Sequence, residues 1–385
     1  MKILIIKDAP GEIKVQRMTY NIQEIGLAVA LRKKGHECDV MSISDDGIFH
    51  EQHIIIEGQN ITVYSVEGFV VLKNCWFKKN VYPILDRYDI IQACEYNQMF
   101  TRHLAKKYKD KMICYHGPYY CKFNRNYNLM AKIFDLLFID IYKKLNTCFI
   151  TKSELAKQYL LNKGVKNVHT IGVGLSEAII GGHKEAETLP EIEQIKQIKC
   201  IKLLYIGIIE PRRNSLFLLE LIHNLKNRGL EFKLILIGKY KDNAYRKTFE
   251  DKIQQLSLED NIFYIPKMEQ KYLGNVYAIS HIFLLPTIYD IYGMVLLEAM
   301  YFGISTITTV NGGSNVMIED GKNGYIMTDF DMKKWTDKVF QLVENPELRN
   351  RVGHNAHETI CNGFTWEKLA PKFIEIYNNK IHGNL

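Results

Sequence analysis

Short apolar runs alternate with helical patterns along almost the whole chain, and they do so in two series. The first opens with "KILII" and continues through "ECDVMSI", a hairpin "HIIIEGQNITVYSV" with Gly58 and Asn60 in its turn, then "YDIIQA", "KMICYH" and "NTCFIT". The second runs "IKLLYIG" (201–207), "FKLILIG" (232–238), "NIFYI" (261–265), "HIFLLP" (281–286) and "ISTITT" (304–309). Strands alternating with helices predict parallel sheets covered on both faces. Two such series predict an α/β protein of two doubly wound Rossmann-like domains. The expected division is 1–172, a linker at 173–200, a second domain at 201–362, and a C-terminal helix at 363–385 that crosses back to the first domain. Asn21, with Glu24 three residues later, predicts a capping box at the start of the first helix. In doubly wound sheets ligands bind beyond the carboxyl ends of the strands, so the site is expected where the two domains face each other across a cleft.

Composition narrows the class. With 385 residues, 47% hydrophobic and 24% charged, the chain reads as a globular protein of more than one core. No run reaches the ~20 apolar residues of a membrane span, and "MKILIIKDAP" is broken by charge too early for a signal peptide. The expected location is cytoplasmic, at the inner face of the membrane where it is membrane-associated. The eight cysteines form no C-x-x-C pair, which argues against zinc and against a disulfide framework. Residues 1–170 carry 25 Lys+Arg against 17 Asp+Glu, and the remainder 25 against 26. The basic excess suits an anionic membrane surface or a phosphate-bearing substrate. The basic region lacks a recognised nucleic-acid motif, so no nucleic-acid partner is expected.

Two ligand classes can be tested on the loops. A nicotinamide dinucleotide needs G-x-G-x-x-G after a first strand, and neither "KDAPGEIKVQRMTYN" nor "IIEPRRN" supplies it. A nucleotide sugar fits "TIYDIYGMVLLEAMYFG" (287–303) better. Asp290 falls at the mouth of a helix opened by Gly293, and the first-turn amides of Tyr292, Gly293, Met294 and Val295 make an anion site. Glu298 lies about five residues into the helix, roughly 7–8 Å along its axis. Carboxylates at both ends accept hydrogen bonds from hydroxyls.

This segment resembles the donor-site motif of the retaining GT-B glycosyltransferases of family 4, in which an acid and a Glu eight positions later flank an aromatic-Gly pair. "TVNGGSNVMIEDGKNGYIM", "YIGIIEPRRN", "YHGPY" and "YNIQEIGLAVALRKKGHECDV" are similar to further pieces of that family in the same order. The resemblance implies that Asp290 bonds donor-sugar hydroxyls and Glu298 the ribose. It places the "YGMV" amides over sugar and phosphate, and Arg213, aided by Arg212, on the diphosphate. Lys267 falls where the family's backbone meets the base, Asn21 beside the nucleotide, and His116 near the reacting sugar carbon. Asp290 and His116 would be the catalytic pair. Ile208 stands where the family usually has a basic residue, so one phosphate partner is replaced.

The implied activity is transfer of a sugar, with retention, from a nucleotide-diphosphate sugar (UDP favoured) to a hydroxyl of a saccharide or lipid-linked saccharide, in capsular or exopolysaccharide synthesis. No metal and no cofactor is expected, because a helix N-terminus and Arg213 can stabilise the leaving diphosphate. A non-catalytic transferase-like subunit and a nucleotide-sugar epimerase on the same fold are the alternatives. The apolar, aromatic helix at 125–145, bracketed by basic residues, is expected to meet a membrane and a lipid-linked acceptor.

Overall fold

The structure, a computed structural model, describes residues 1–13, 22–71, 74–123, 125–177 and 189–385. It divides into two compact units. The first is Met1–Ser176 with Phe364–Leu385, and the second is Glu177–Gly363.

The strands of the first unit are β1 (Lys2–Lys7), β2 (Glu37–Ile43), β3 (His50–Ile56), β4 (Gln59–Val66), β5 (Gly68–Val71), β6 (Asn74–Phe77), β7 (Ile90–Cys94), β8 (Met112–His116), β9 (Cys148–Thr151) and β10 (Val168–Thr170). Eight of them form one sheet in the spatial order β10, β9, β8, β7, β1, β2, β4, β3, and β5 and β6 pair separately. All neighbours in the large sheet are parallel except β3 and β4, the hairpin expected from "HIIIEGQNITVYSV". Ile3, Leu4, Ile5 and Ile6 of β1 are all buried, as an interior strand covered on both faces requires. The sheet reverses direction of growth at β1, which has β2 on one side and β7 on the other.

The helix Gln23–Lys33 has Ile22 at its N-cap position and no side-chain cap. Asn21, read as the start of a capping box, lies outside the described residues. The C-terminal helix Trp366–Ile381 belongs to the first unit. Its Trp366 lies so close over Gly26 and Gly174 that a Cβ on either glycine would come within 2.5 Å of the indole. Tyr377 donates a 2.7 Å hydrogen bond to Gln92 in the core of β7.

The second unit holds β11 (Ile201–Ile206), β12 (Phe232–Ile237), β13 (Ile262–Ile265), β14 (Ile282–Leu285), β15 (Ser305–Thr309) and β16 (Tyr325–Met327). They form an all-parallel sheet in the order β13, β12, β11, β14, β15, β16. Growth reverses between β11 and β14, which makes the loops after these two strands neighbours at a topological switch point. The range read as a linker contains the helix Pro190–Gln197, whose Ile192 and Ile195 are buried.

Candidate functional site

In the second unit the switch point brings two loops together. Residues 207–214 follow β11 and residues 286–293 follow β14. They are tied backbone to backbone, because the Ile288 amide donates to the Arg212 carbonyl at 2.9 Å. Thr287 adds a hydroxyl bond to the same carbonyl at 3.3 Å. Arg212 Nη1 donates to the Tyr289 carbonyl at 2.9 Å and its guanidinium pairs with Glu210 at 2.7 Å. The Arg213 guanidinium donates to the Asp290 carboxylate, and both side chains are nearly buried. Arg213 Nε is buried with no hydrogen-bond partner in the protein. Its neighbour is Gly207, where a Cβ would lie 3.9 Å away.

Gly293 holds the N-cap of the helix Met294–Tyr301 in the left-handed region, φ 82° and ψ 65°, a conformation that glycine alone adopts without steric cost. The loop after β15 supports this corner from below. The Gly312 amide donates to the Asp290 carbonyl at 3.2 Å. A Cβ at Gly312 would meet the Ile291 carbonyl at 1.9 Å, and one at Gly313 the Tyr292 carbonyl at 1.9 Å. Asn311 Oδ1 accepts from the Gly313 and Ser314 amides at 3.1 and 3.0 Å. These contacts fix the direction in which Tyr292, Gly293, Met294 and Val295 present the start of the helix.

Glu298 lies further into the same helix and is buried. Gln270 Nε2 and the Tyr277 hydroxyl each donate to its carboxylate at 2.9 Å. Burial pushes its pKa up to about 7, although both hydrogen bonds pull the other way. Gln270 Oε1 is buried without a partner. Lys267 is exposed on the loop after β13.

His116 sits in the first unit, at the end of β8, fully buried. Sequence reasoning missed its neighbour, Glu95. His116 Nδ1 donates to Glu95 Oε2 at 2.8 Å, and the Gly117 amide donates to the same oxygen at 3.2 Å. Lys152 approaches the other carboxylate oxygen at 3.7 Å. Burial pushes the Glu95 carboxyl up, but the His116 hydrogen bond and the Lys152 charge outweigh it and hold it below its ordinary value. Glu95 adopts φ 56°, a strained backbone for a residue other than glycine. His116 Nε2 is left buried with no partner. Nearby, at the end of β1, Asp8 is buried and its carboxyl is raised well above the ordinary range by burial. The only sequence signal for Glu95 was an acid directly after the strand "IIQAC".

The structure therefore brings Arg212, Arg213, Asp290, Tyr292, Gly293, Met294 and Val295 to one corner of the second unit, with Glu298 farther along the helix. It sets His116 in a separate polar cluster of the first.

The family model described as glycosyl transferases group 1 matches residues 190–359. N-acetyl-alpha-D-glucosaminyl L-malate synthase of Bacillus anthracis is 30% identical over 148 residues, 38% of each chain. The chain thus spans about two fifths of that relative's length. An uncharacterized 41.2 kDa protein in the cps region of Klebsiella pneumoniae is 20% identical over 325 residues, 84% of this chain and 85% of its own. The crystal structure of Anabaena HepE in complex with UDP aligns over 98% of this chain and 100% of its own, with a TM-score of 0.72 and 14% identity. Residues 190–359 thus match the family model of glycosyl transferases group 1, and the chain has the GT-B fold.

Proposed function

We propose that this protein transfers a sugar, with retention, from a nucleotide-diphosphate sugar to a hydroxyl of a saccharide or lipid-linked saccharide. A UDP-sugar is the favoured donor. The observation that carries the reading is the corner of the second unit. There, Arg213 Nε is a buried donor without a partner, beside a helix N-terminus shaped by Gly293. A buried orphaned donor is costly unless a ligand satisfies it, and a diphosphate oxygen is the acceptor that suits a guanidinium and first-turn amides together. Gln270 Oε1, the orphaned acceptor beside Glu298, suits a ribose hydroxyl.

In this reading the bond between the anomeric carbon and the β-phosphate oxygen breaks, and the electron pair stays with the diphosphate. Arg213 and the helix start stabilise that charge. The acceptor hydroxyl attacks from the face the diphosphate leaves, and its proton passes to the leaving phosphate. Asp290 holds the donor-sugar hydroxyls, and His116 keeps the role near the reacting sugar carbon that the family resemblance implies. The UDP bound by HepE supports the choice of base, and the cps region of the Klebsiella relative supports a role in capsular or exported polysaccharide.

A thermal-shift screen against nucleotide sugars tests the proposal. A ligand of the native state raises the melting temperature by mass action. A rise with one nucleotide sugar, lost in an Arg213→Ala variant, is expected. No rise with any UDP-, GDP- or ADP-sugar at millimolar concentration would overturn it.

A further inference from the structure

The helix Arg125–Lys144 has two opposite apolar faces, and only one has a place in the fold. Ala131, Phe134, Ile139 and Tyr142 pack inward in the first unit. On the other side Leu129, Met130, Ile133, Leu136 and Leu137 recur at the helical spacing that forms a single stripe, and all five are exposed, Leu136 by 87%. Phe123, just before the helix, is 58% exposed. A run of large apolar side chains on one face marks an interaction surface rather than scattered surface residues.

The charges around the stripe select the occupant. Lys122, Arg125, Lys132, Lys143 and Lys144 are exposed beside it, and Asp140 is the exposed acid on the helix, bonded to Lys143 at 3.1 Å. A second copy of this helix would bring like charges together, which disfavours a self-complementary interface. A surface with negative charge outside and hydrocarbon beneath complements both features. No helix among the described residues is long and apolar enough to cross a membrane, so the geometry points to a helix lying along an interface. We infer that the Leu129–Leu137 face of this helix docks the protein onto an anionic lipid bilayer, with the leucines in the acyl boundary and the lysines on the headgroup phosphates.

The inference goes beyond the donor-site reading and stands apart from it. The test is co-sedimentation of the full chain with vesicles of phosphatidylglycerol and phosphatidylcholine, against vesicles of phosphatidylcholine alone, at 50 and 500 mM salt. Binding is expected on the anionic vesicles, falling severalfold at high salt as the Debye length shrinks below ~10 Å. The double variant Leu136→Glu/Leu137→Glu, at exposed positions, should bind at least tenfold less while keeping its melting temperature and its nucleotide-sugar shift. The variant Lys122→Gln/Lys132→Gln should lose mainly the salt-sensitive part. A wild-type chain that stays in the supernatant at 50 mM salt would overturn the inference. So would vesicle binding unchanged by both variants, or a solution dimer that the leucine substitutions dissolve.

Discussion

The Arg213 guanidinium donates to the Asp290 carboxylate across 77 residues of sequence, and neither side chain is more than 13% exposed. The two residues expected to divide sugar and diphosphate between them are paired with each other. Removing one partner of a nearly buried pair strands the other charge, at a cost of about 3–5 kcal/mol. Asp290→Ala should therefore lose transfer and also lower the melting temperature. Asp290→Asn keeps the shape and should retain more of the stability. A double-mutant cycle with Arg213→Ala, read by denaturant unfolding, should give a coupling well above the 0–1 kcal/mol typical of surface pairs.

Glu298 makes stability depend on pH in an unusual direction. Its folded value of about 7 lies above the ordinary carboxylate value. The folded state therefore holds its proton where the unfolded chain has lost it, and stability falls as pH rises from about 4.5 through 7. The full effect is roughly 3 kcal/mol. Glu298→Gln should lose less stability than wild type between pH 5 and pH 8, measured by thermal unfolding at both values. Donor affinity should move oppositely in wild type, weakening as pH falls below 7, because only the carboxylate offers all its acceptor sites to ribose hydroxyls.

Glu95 should matter to transfer through His116. It fixes Nδ1 and leaves Nε2 as the ring nitrogen without a partner. Glu95→Gln is expected to lower kcat roughly ten- to hundredfold, since a misplaced group costs that much. The donor-induced thermal shift, set in the second unit, should stay unchanged. Equal loss of both readouts would contradict the assignment.

At the Arg213 corner the Arg212 guanidinium is taken up by Glu210 and the Tyr289 carbonyl, which leaves position 208 as a place for a further cation. Ile208 follows Gly207 and is 51% exposed. Ile208→Arg should tighten nucleotide-diphosphate binding severalfold by adding a charge-assisted contact, with little change in melting temperature. Calorimetric titration with UDP would measure it.

Gly312→Ala should act at a distance from any ligand. Its Cβ would overlap the Ile291 carbonyl at 1.9 Å, so the 290–293 corner must shift. A loss of roughly 1–3 kcal/mol with weaker UDP binding is expected from parallel unfolding and titration.

The two doubly wound sheets were legible because their signal is local. Runs such as "KILII" and "FKLILIG" bury both faces, and period alone reveals that. The order "DIYGMVLLE" likewise placed an acid, a left-handed glycine and a helix start within a few residues, so backbone geometry linked them without help from the rest of the chain. The sequence was silent where partners are distant. Nothing near His116 announced Glu95, which reaches it only because β7 and β8 lie side by side. Gln270 and Tyr277 close over Glu298 from another helix, and that burial, not the residue type, raises its pKa. The sequence by itself determined the elements and the helix mouth, through patterns only a few residues long. The tertiary structure alone decided which charges are paired, which polar atoms are left without partners and which face of the helix Arg125–Lys144 stays uncovered, because each depends on residues that meet only after the chain has folded.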